Sequence, residues 1–490
     1  MTEISDFGGI ILVVTAGFTL AVLSTKLTER VPVPAPALFL AAAALVSDIW
    51  PSVYDALSIR VVERIAVVAL VVILFNGGMD IGWRRFRSAA GPILSLGLLG
   101  TFATAGLMAL FAHYALGLSW ILSGLIAAAI APTDPAVVFS VLGRREIEGR
   151  SGTTLEGEAG INDPVGIALM IGMIELATHD DASFLVVIQE FAIEMSIGAA
   201  FGVLGARLLT PILRRLELGS EGLYPVLAMT LAGALYGVTS IAHGSGFLAV
   251  FIAGLLLGDA HVPFKAEIER FSASLASLAE LAVFVFLGLT IDLGSLSGRV
   301  WLEGAALALF LALLGRPLVV IATLGLARFR WGERLFISWA GLKGAVPILL
   351  AALALLSGVP DAQHVYRVVF VVVVVSVVGQ GTLVPFAARL LGVRMHDRPT
   401  LPWLLARHPP AEEAFEVQAG SRAAGLALGD LPLGEKAWIT HVIRNGVTIR
   451  PASTLELLVG DQVLLTTTSE QPDQLSRLFA VDGPETERPG

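Results

Sequence analysis

The chain has 490 residues, 55% of them hydrophobic and 15% charged, with a formal net charge of −9 and no cysteine. Soluble domains carry nearer a quarter charged residues, so the composition is that of a polytopic helical membrane protein with a modest soluble appendage, not of a soluble enzyme. The acidic balance is not a nucleic-acid signature, and without cysteine there is no disulfide framework and no thiolate metal site.

The N-terminus, Met1–Asp6, is acidic and lacks a basic n-region, so the first apolar run reads as a retained span. Runs of about 20 apolar residues suffice to cross a bilayer. They fall near 8–27, 34–50, 61–80, 90–115, 119–142, 154–177, 185–210, 223–241, 244–260, 271–291, 303–328, 333–356 and 365–392, about thirteen spans. Loop charge tests the count. Loops after odd-numbered spans hold sixteen Lys and Arg, from Lys26 to Arg334, and loops after even-numbered spans hold four: Arg60, Arg64, Arg299 and Arg367. Cytoplasmic loops carry the basic excess. The expected arrangement is a multi-pass protein of the inner (plasma) membrane, N-terminus outside and C-terminus cytoplasmic.

Polar residues within the spans are the functional candidates, because a charge at mid-bilayer depth costs about 2.5–3.5 kcal/mol on insertion scales. Asn76, before Gly77-Gly78, reads as a pore residue or, more simply, as the glycine-rich end of a packed helix. In Ala131-Pro132-Thr133-Asp134-Pro135 the two prolines remove two backbone donors inside the fifth span. Backbone freed in a bilayer must be buried in protein or line a wet cavity, and broken helices are how many secondary transporters expose carbonyls to a cation. Thr133 is then a candidate ligand and Asp134 a charge at a half-helix N-terminus. A plain proline kink with a capping aspartate fits the same residues equally well.

The sixth span opens with Glu156-Gly157-Glu158-Ala159-Gly160-Ile161-Asn162-Asp163-Pro164. Pro164 suits a first helical turn, which would make Asp163 an ordinary surface cap. Asp163 is thirteen residues past Arg150, about 20 Å if helical, which puts it near mid-bilayer instead. A carboxylate there holds a proton or a cation but not readily both, the minimal chemistry of an exchanger. Glu158 needs a counter-charge, and Lys343 in the twelfth span, between Gly341 and Gly344, is the expected partner, unless it snorkels to the surface. Glu280 and Arg316, in the tenth and eleventh spans, form a second expected pair.

Beyond Gly392 the composition changes. Residues 396–411, with Pro399, Pro402, Pro409 and Pro410, read as a linker, and 483–490 as a disordered tail. Between them, 412–482 form a small α+β module: strands around Asn445-Gly446, a strong hairpin signal, a strand at Gln462–Thr468, and a short helix from the Ser469 N-cap.

Thr133–Pro135, Glu156–Pro164, Phe286–Asp292 and Gly341–Pro347 occur together in an order that resembles the bacterial monovalent cation:proton antiporters of the sodium/proton exchanger superfamily, over about residues 8–395. Ile443–Pro451 and Gly460–Leu465 resemble the TrkA-C domain, the C-terminal half of regulators of potassium conductance. The combination is similar to potassium/proton antiporters. The resemblance implies an all-α membrane domain (1–395) with inverted repeats and two crossing broken helices, a homodimer, and electroneutral exchange. It implies Asp163 as the cation and proton site, Asn162 as its neighbour, Thr133 at the crossing, Glu158 paired with the basic residue at 343, and Glu280 as a family carboxylate. Many relatives have Arg at position 343, and sodium-selective ones often have Ser where Ala159 stands, which points toward K⁺. The expected function is K⁺/H⁺ exchange; Na⁺(Li⁺)/H⁺ exchange is the alternative and a regulated cation channel a remote one, since no T-V-G-Y-G filter is present. The resemblance further implies no cofactor, apart from a nucleotide or cyclic dinucleotide regulator on the TrkA-C domain.

Overall fold

The computed structural model describes residues 15, 19, 34–49, 58–142, 145–147, 149–179, 183–325, 327–397, 411–431, 437–444, 447–449, 455–467 and 478–479. The chain divides into two compact units, Met1–Asp397 and Arg398–Gly490. Most of the first span near 8–27, the linker from Arg398 to Pro410, the turn Asn445-Gly446, most of the helix from Ser469 and the tail after Asp482 lie outside the described residues.

The first unit is helical. Its elements are α1 (Ala35–Ile49), α2 (Ile59–Ser88), α3 (Ala90–Leu116), α4 (Trp120–Ile130), α5 (Pro135–Leu142), α6 (Arg150–Thr178), α7 (Phe184–Arg215), α8 (Leu223–Ile241), α9 (Gly246–Gly258), α10 (Lys265–Leu289), α11 (Gly298–Thr323), α12 (Trp331–Trp339), α13 (Val346–Leu356), α14 (Ala362–Gln380) and α15 (Val384–Leu390). Five begin on a serine whose hydroxyl accepts a backbone N–H of the first turn: Ser58, Ser119, Ser183, Ser245 and Ser297.

Among the described residues eight helices are long and apolar enough to cross a bilayer, or nine if the bent pair α4–α5 is one span. Thirteen spans are expected from the apolar runs; the first lies mostly outside the described residues, and the other three differ for a physical reason. Helices α1, α9 and α13 are apolar but shorter than a membrane is thick, and the twelfth run is interrupted at 340–345 between α12 and α13.

Close helix contacts come from small residues, as expected where lipid supplies no hydrophobic contrast between helices. A Cβ at Gly78 of α2 or Gly254 of α9 would strike the other helix's backbone. The valine run of α14 is buried, so it faces protein rather than lipid. By contrast Leu204, Leu208 and Ile212 form an exposed apolar stripe on α7. Strands β1 (Arg145–Ile147) and β2 (Met395–Asp397) pair antiparallel, a ribbon not anticipated from the sequence.

The second unit holds an antiparallel sheet of β3 (Ala411–Glu416), β4 (Ala437–Arg444), β5 (Val447–Ile449) and β6 (Gln462–Thr467) in the order β3-β6-β4-β5. Arg444 and Val447 pair across the expected hairpin. Val417, Val442, Leu457, Val463 and Phe479 form its core. Buried Asp461 accepts from Arg444 Nε and Nη2, both at 2.8 Å, and from Leu458 N at 2.9 Å. This pairing holds the Asp461 carboxyl below the usual carboxylate range.

Candidate functional site

The site forms where two interrupted helices cross. α4 and α5 are bent by 43° across 131–134. The cause is visible in the sequence. A helix would have residue 135 donate to the Ala131 carbonyl, but Pro135 has no N–H. Residue 136 would donate to the Pro132 carbonyl, but Ala136 N instead donates to Asp134 Oδ1 at 2.9 Å. Asp134 thus caps α5, and two carbonyls are left over. Lys343 satisfies both: its ammonium donates to Ala131 O at 2.9 Å and Pro132 O at 2.7 Å.

Lys343 stands in the second interruption, 340–345. The two unwound segments meet backbone to backbone, Asp134 N donating to Leu342 O at 2.8 Å. Gly344 permits the approach, because a Cβ there would collide with the Asp134 carboxylate. Lys343 N donates to Ser376 Oγ at 3.1 Å, in a π-helical turn of α14.

α6 lies against this crossing. It runs unbroken from Arg150 to Thr178 with Pro164 inside it, so Asp163 is not a cap at a helix start. Glu158, Asn162 and Asp163 are all buried. Asn162 Nδ2 donates to Thr133 Oγ1 at 2.7 Å, and Thr133 Oγ1 lies 3.5 Å from Glu158 Oε1. Gly166 lets α6 pack on the Pro132 ring.

Two expected charge pairs are corrected. Glu158 pairs with Arg316, not Lys343: Arg316 Nη2 donates to Glu158 Oε1 at 2.5 Å and Oε2 at 2.7 Å. Arg316 follows a π-helical turn, Leu311–Gly315, in α11, and Gly341 leaves room for its guanidinium. With both hydrogen bonds of Arg316 on Glu158, the Glu280–Arg316 pair does not form; Glu280 instead lies within electrostatic reach of Asp134. The reason is geometric. The broken-helix carbonyls claim the Lys343 ammonium, and the longer Arg316 reaches Glu158 from a neighbouring helix.

Asp163 is surrounded differently from Glu158. Glu158 is 0% exposed and bridged at both oxygens, whereas Asp163 is 7% exposed and its Oδ1 is buried without a hydrogen-bond partner. Lys343 and Asp134 are near enough to act on it electrostatically. Asn162 Oδ1 is likewise buried and unpartnered.

Asn76 lies on α2, which is kinked at Gly82 (φ 67°) before Arg85 reaches Thr153 Oγ1 (3.4 Å) and Glu156 Oε2 (3.6 Å) near the start of α6. Asn76 Nδ2 donates to Asp80 Oδ2 at 2.8 Å, while its Oδ1 is buried and unpartnered. The asparagine-glycine run signalled a close helix contact, that of Gly78 with α9. His113, at the end of α3, is part-buried, with Nδ1 2.7 Å from Leu118 O and its ring stacked on Trp120.

Among the described residues no group of three or more His, Cys, Asp or Glu could hold a resident metal ion.

Residues 13–390 match the family model for the sodium/hydrogen exchanger, transmembrane, and residues 413–480 match the TrkA-C domain. The chain is 36% identical over 386 residues to the K⁺/H⁺ antiporter NhaP of Alkalimonas amylolytica, covering 78% of this chain and 66% of that protein. It is 31% identical over 482 residues to the K⁺/H⁺ antiporter NhaP2 of Shewanella oneidensis, covering 95% and 82%. Its fold is similar to that of the sodium proton antiporter MjNhaP1 of Methanocaldococcus jannaschii, with a TM-score of 0.67 at 24% identity, covering 78% of this chain and all of that structure.

Proposed function

The chain belongs to the sodium/hydrogen exchanger family, with a TrkA-C domain after its transmembrane region, and on that footing we propose that it is a K⁺/H⁺ antiporter in which Asp163 binds cation and proton alternately. The carrying observation is the contrast between two carboxylates on α6: Glu158 is closed off by Arg316, while Asp163 and its chain neighbour Asn162 each keep a buried, unpartnered oxygen. A proton on Asp163 satisfies that oxygen, and so does a cation held with the Asn162 carbonyl; each excludes the other. One elementary charge exchanged for another at one carboxylate makes the cycle electroneutral.

Thr133 acts by fixing Asn162 through its hydroxyl. Lys343 and Asp134 offset one another at the helix crossing and hold the broken backbone open. Glu158 and Arg316 serve as a scaffold between α6 and α11, and Glu280 lies near enough to Asp134 to be coupled to the crossing. We further propose thirteen spans in all, arranged as inverted repeats whose related interruptions are 131–134 and 340–345. The transport domain is 1–395, followed by a linker (396–411), a regulatory TrkA-C domain (412–482) and a tail (483–490). The loop charges favour an external N-terminus and a cytoplasmic C-terminus in the inner membrane. The family supports a homodimer with access alternating around the fixed site. The regulator that fits a TrkA-C domain is a nucleotide or cyclic dinucleotide.

K⁺ is favoured over Na⁺ by two relatives named for K⁺/H⁺ antiport and by Ala159, one helical turn before Asp163, which offers no side-chain oxygen. The test is collapse of a preset pH gradient in proteoliposomes on adding K⁺, Na⁺ or Li⁺. K⁺ is expected to act at the lowest concentration, and Ala159→Ser to shift the preference toward Na⁺ by about tenfold, the worth of one hydrogen-bonding oxygen. Equal responses to K⁺ and Na⁺ in both proteins would contradict the K⁺ assignment while leaving antiport intact. Removing residues after Arg398 should change regulation and preserve exchange.

A further inference from the structure

A cavity of about 340 Å³ opens at the basic end of the helical unit, away from the crossing. Gly149, Arg330, Gly332, Glu333, Gly392 and Arg394 line it, joining the start of α6, the start of α12 and the end of α15. Glu333 is already engaged: Oε2 accepts from Arg330 N at 2.7 Å, and Oε1 lies 3.5 Å from Ser151 Oγ. The two arginines therefore set the sign of the lining. Gly149, the cap residue of α6, has no side chain to accept from that helix's first turn. Leu391 and Val393 add apolar lining. The two helices beside the cavity also carry exposed apolar side chains, Trp331 and Leu335 on α12 and Phe386 and Leu390 on α15, of which Trp331 lies between the lining residues Arg330 and Gly332 in the chain.

We propose that this cavity binds the phosphate of an anionic phospholipid, whose acyl chains lie along Trp331, Leu335, Phe386 and Leu390. Basic pockets between transmembrane helices on the cytoplasmic side suit such headgroups, and tryptophan belongs at the headgroup level. A soluble phosphate compound needs the arginines but has no use for the apolar strip; a lipid needs both. The inference requires only a membrane-crossing chain and is independent of which cation is carried. Its consequence is regulatory. The lipid bridges α6, which carries Asp163, and α12, which leads into the interruption at Lys343, so the composition of the membrane sets the ease with which these helices move.

The test uses the full chain in detergent, titrated with short-chain phosphatidylglycerol, short-chain phosphatidylcholine and glycerol 3-phosphate, with binding read by native mass spectrometry and thermal shift. Phosphatidylglycerol should bind best. Arg330→Gln with Arg394→Gln should weaken it about 30-fold, about fivefold for each arginine. Arg207→Gln with Arg215→Gln, an equal charge change on the exposed face of α7, should leave it unaltered. Should the first double variant not fold, Arg394→Gln alone carries the test at about fivefold. Equal affinity for both lipids, or equal losses in the two double variants, would overturn the site. Glycerol 3-phosphate binding as tightly as phosphatidylglycerol would overturn the lipid and make the occupant a soluble phosphate.

Discussion

Asp163 and Glu158 stand five residues apart on one helix, and their surroundings divide the roles between them. Glu158 is a buried ion pair, so removing its charge strands the Arg316 guanidinium. Breaking such a pair typically costs about 3–5 kcal/mol. Glu158→Gln should accordingly lower the thermal unfolding midpoint sharply in detergent, and the double variant Glu158→Gln with Arg316→Met should recover most of the loss. A single variant as stable as the parent would show that the pair is not structural. At this scale the sequence was informative about which charged residues are buried and poor at pairing them. Burying carboxylates in an apolar chain is costly enough to single out Glu158 and Asp163. Two basic residues, Arg316 and Lys343, could each answer Glu158, and the choice depended on which oxygens the Lys343 ammonium meets first, a feature of the fold and not of local spacing.

Among the elements, the two interruptions differ in how plainly the chain announces them. Pro132 and Pro135 mark the first, since each deletes a donor within an apolar run. The second, at 340–345, carries Gly341 and Gly344 but no proline until Pro347, at the start of α13. Local spacing alone does not require it, because glycine permits an interruption without imposing one. The dependence of Lys343 on Pro135 is testable. Pro135→Ala restores an N–H for the Ala131 carbonyl and sets it in competition with the Lys343 ammonium. The variant should be as stable as the parent or more so, yet exchange more slowly. Unchanged exchange in proteoliposomes would mean that the opened backbone is not needed.

For the whole molecule, composition alone marked where the helical unit gives way to a second unit of different character, because a chain that lies in lipid must be apolar along its spans. The span lengths were less legible: α1, α9 and α13 are shorter than a bilayer is thick, and α9 and α13 are largely enclosed by their neighbours. The soluble unit has its own acid sensitivity. Asp461 has its carboxyl lowered by Arg444, so its contribution to stability is present above the ordinary carboxylate pKa of about 4 and is lost as the pH falls through the lowered value. Hydrogen exchange in β4 and β6 of the full chain should therefore accelerate only below about pH 4, and Asp461→Asn should show that faster exchange already at neutral pH. An Asp461→Asn protein with unaltered exchange would remove this ion pair from the account of the domain.

The central claim is that one carboxylate carries both ions, and Asp163→Asn tests it most directly. The substitution keeps shape and removes only the ability to hold a cation or a titrating proton. In proteoliposomes with a preset pH gradient, added K⁺ should collapse the gradient with the parent protein and leave it standing with the variant, at equal reconstitution and equal thermal stability. Collapse at the parental rate by the variant would contradict the claim.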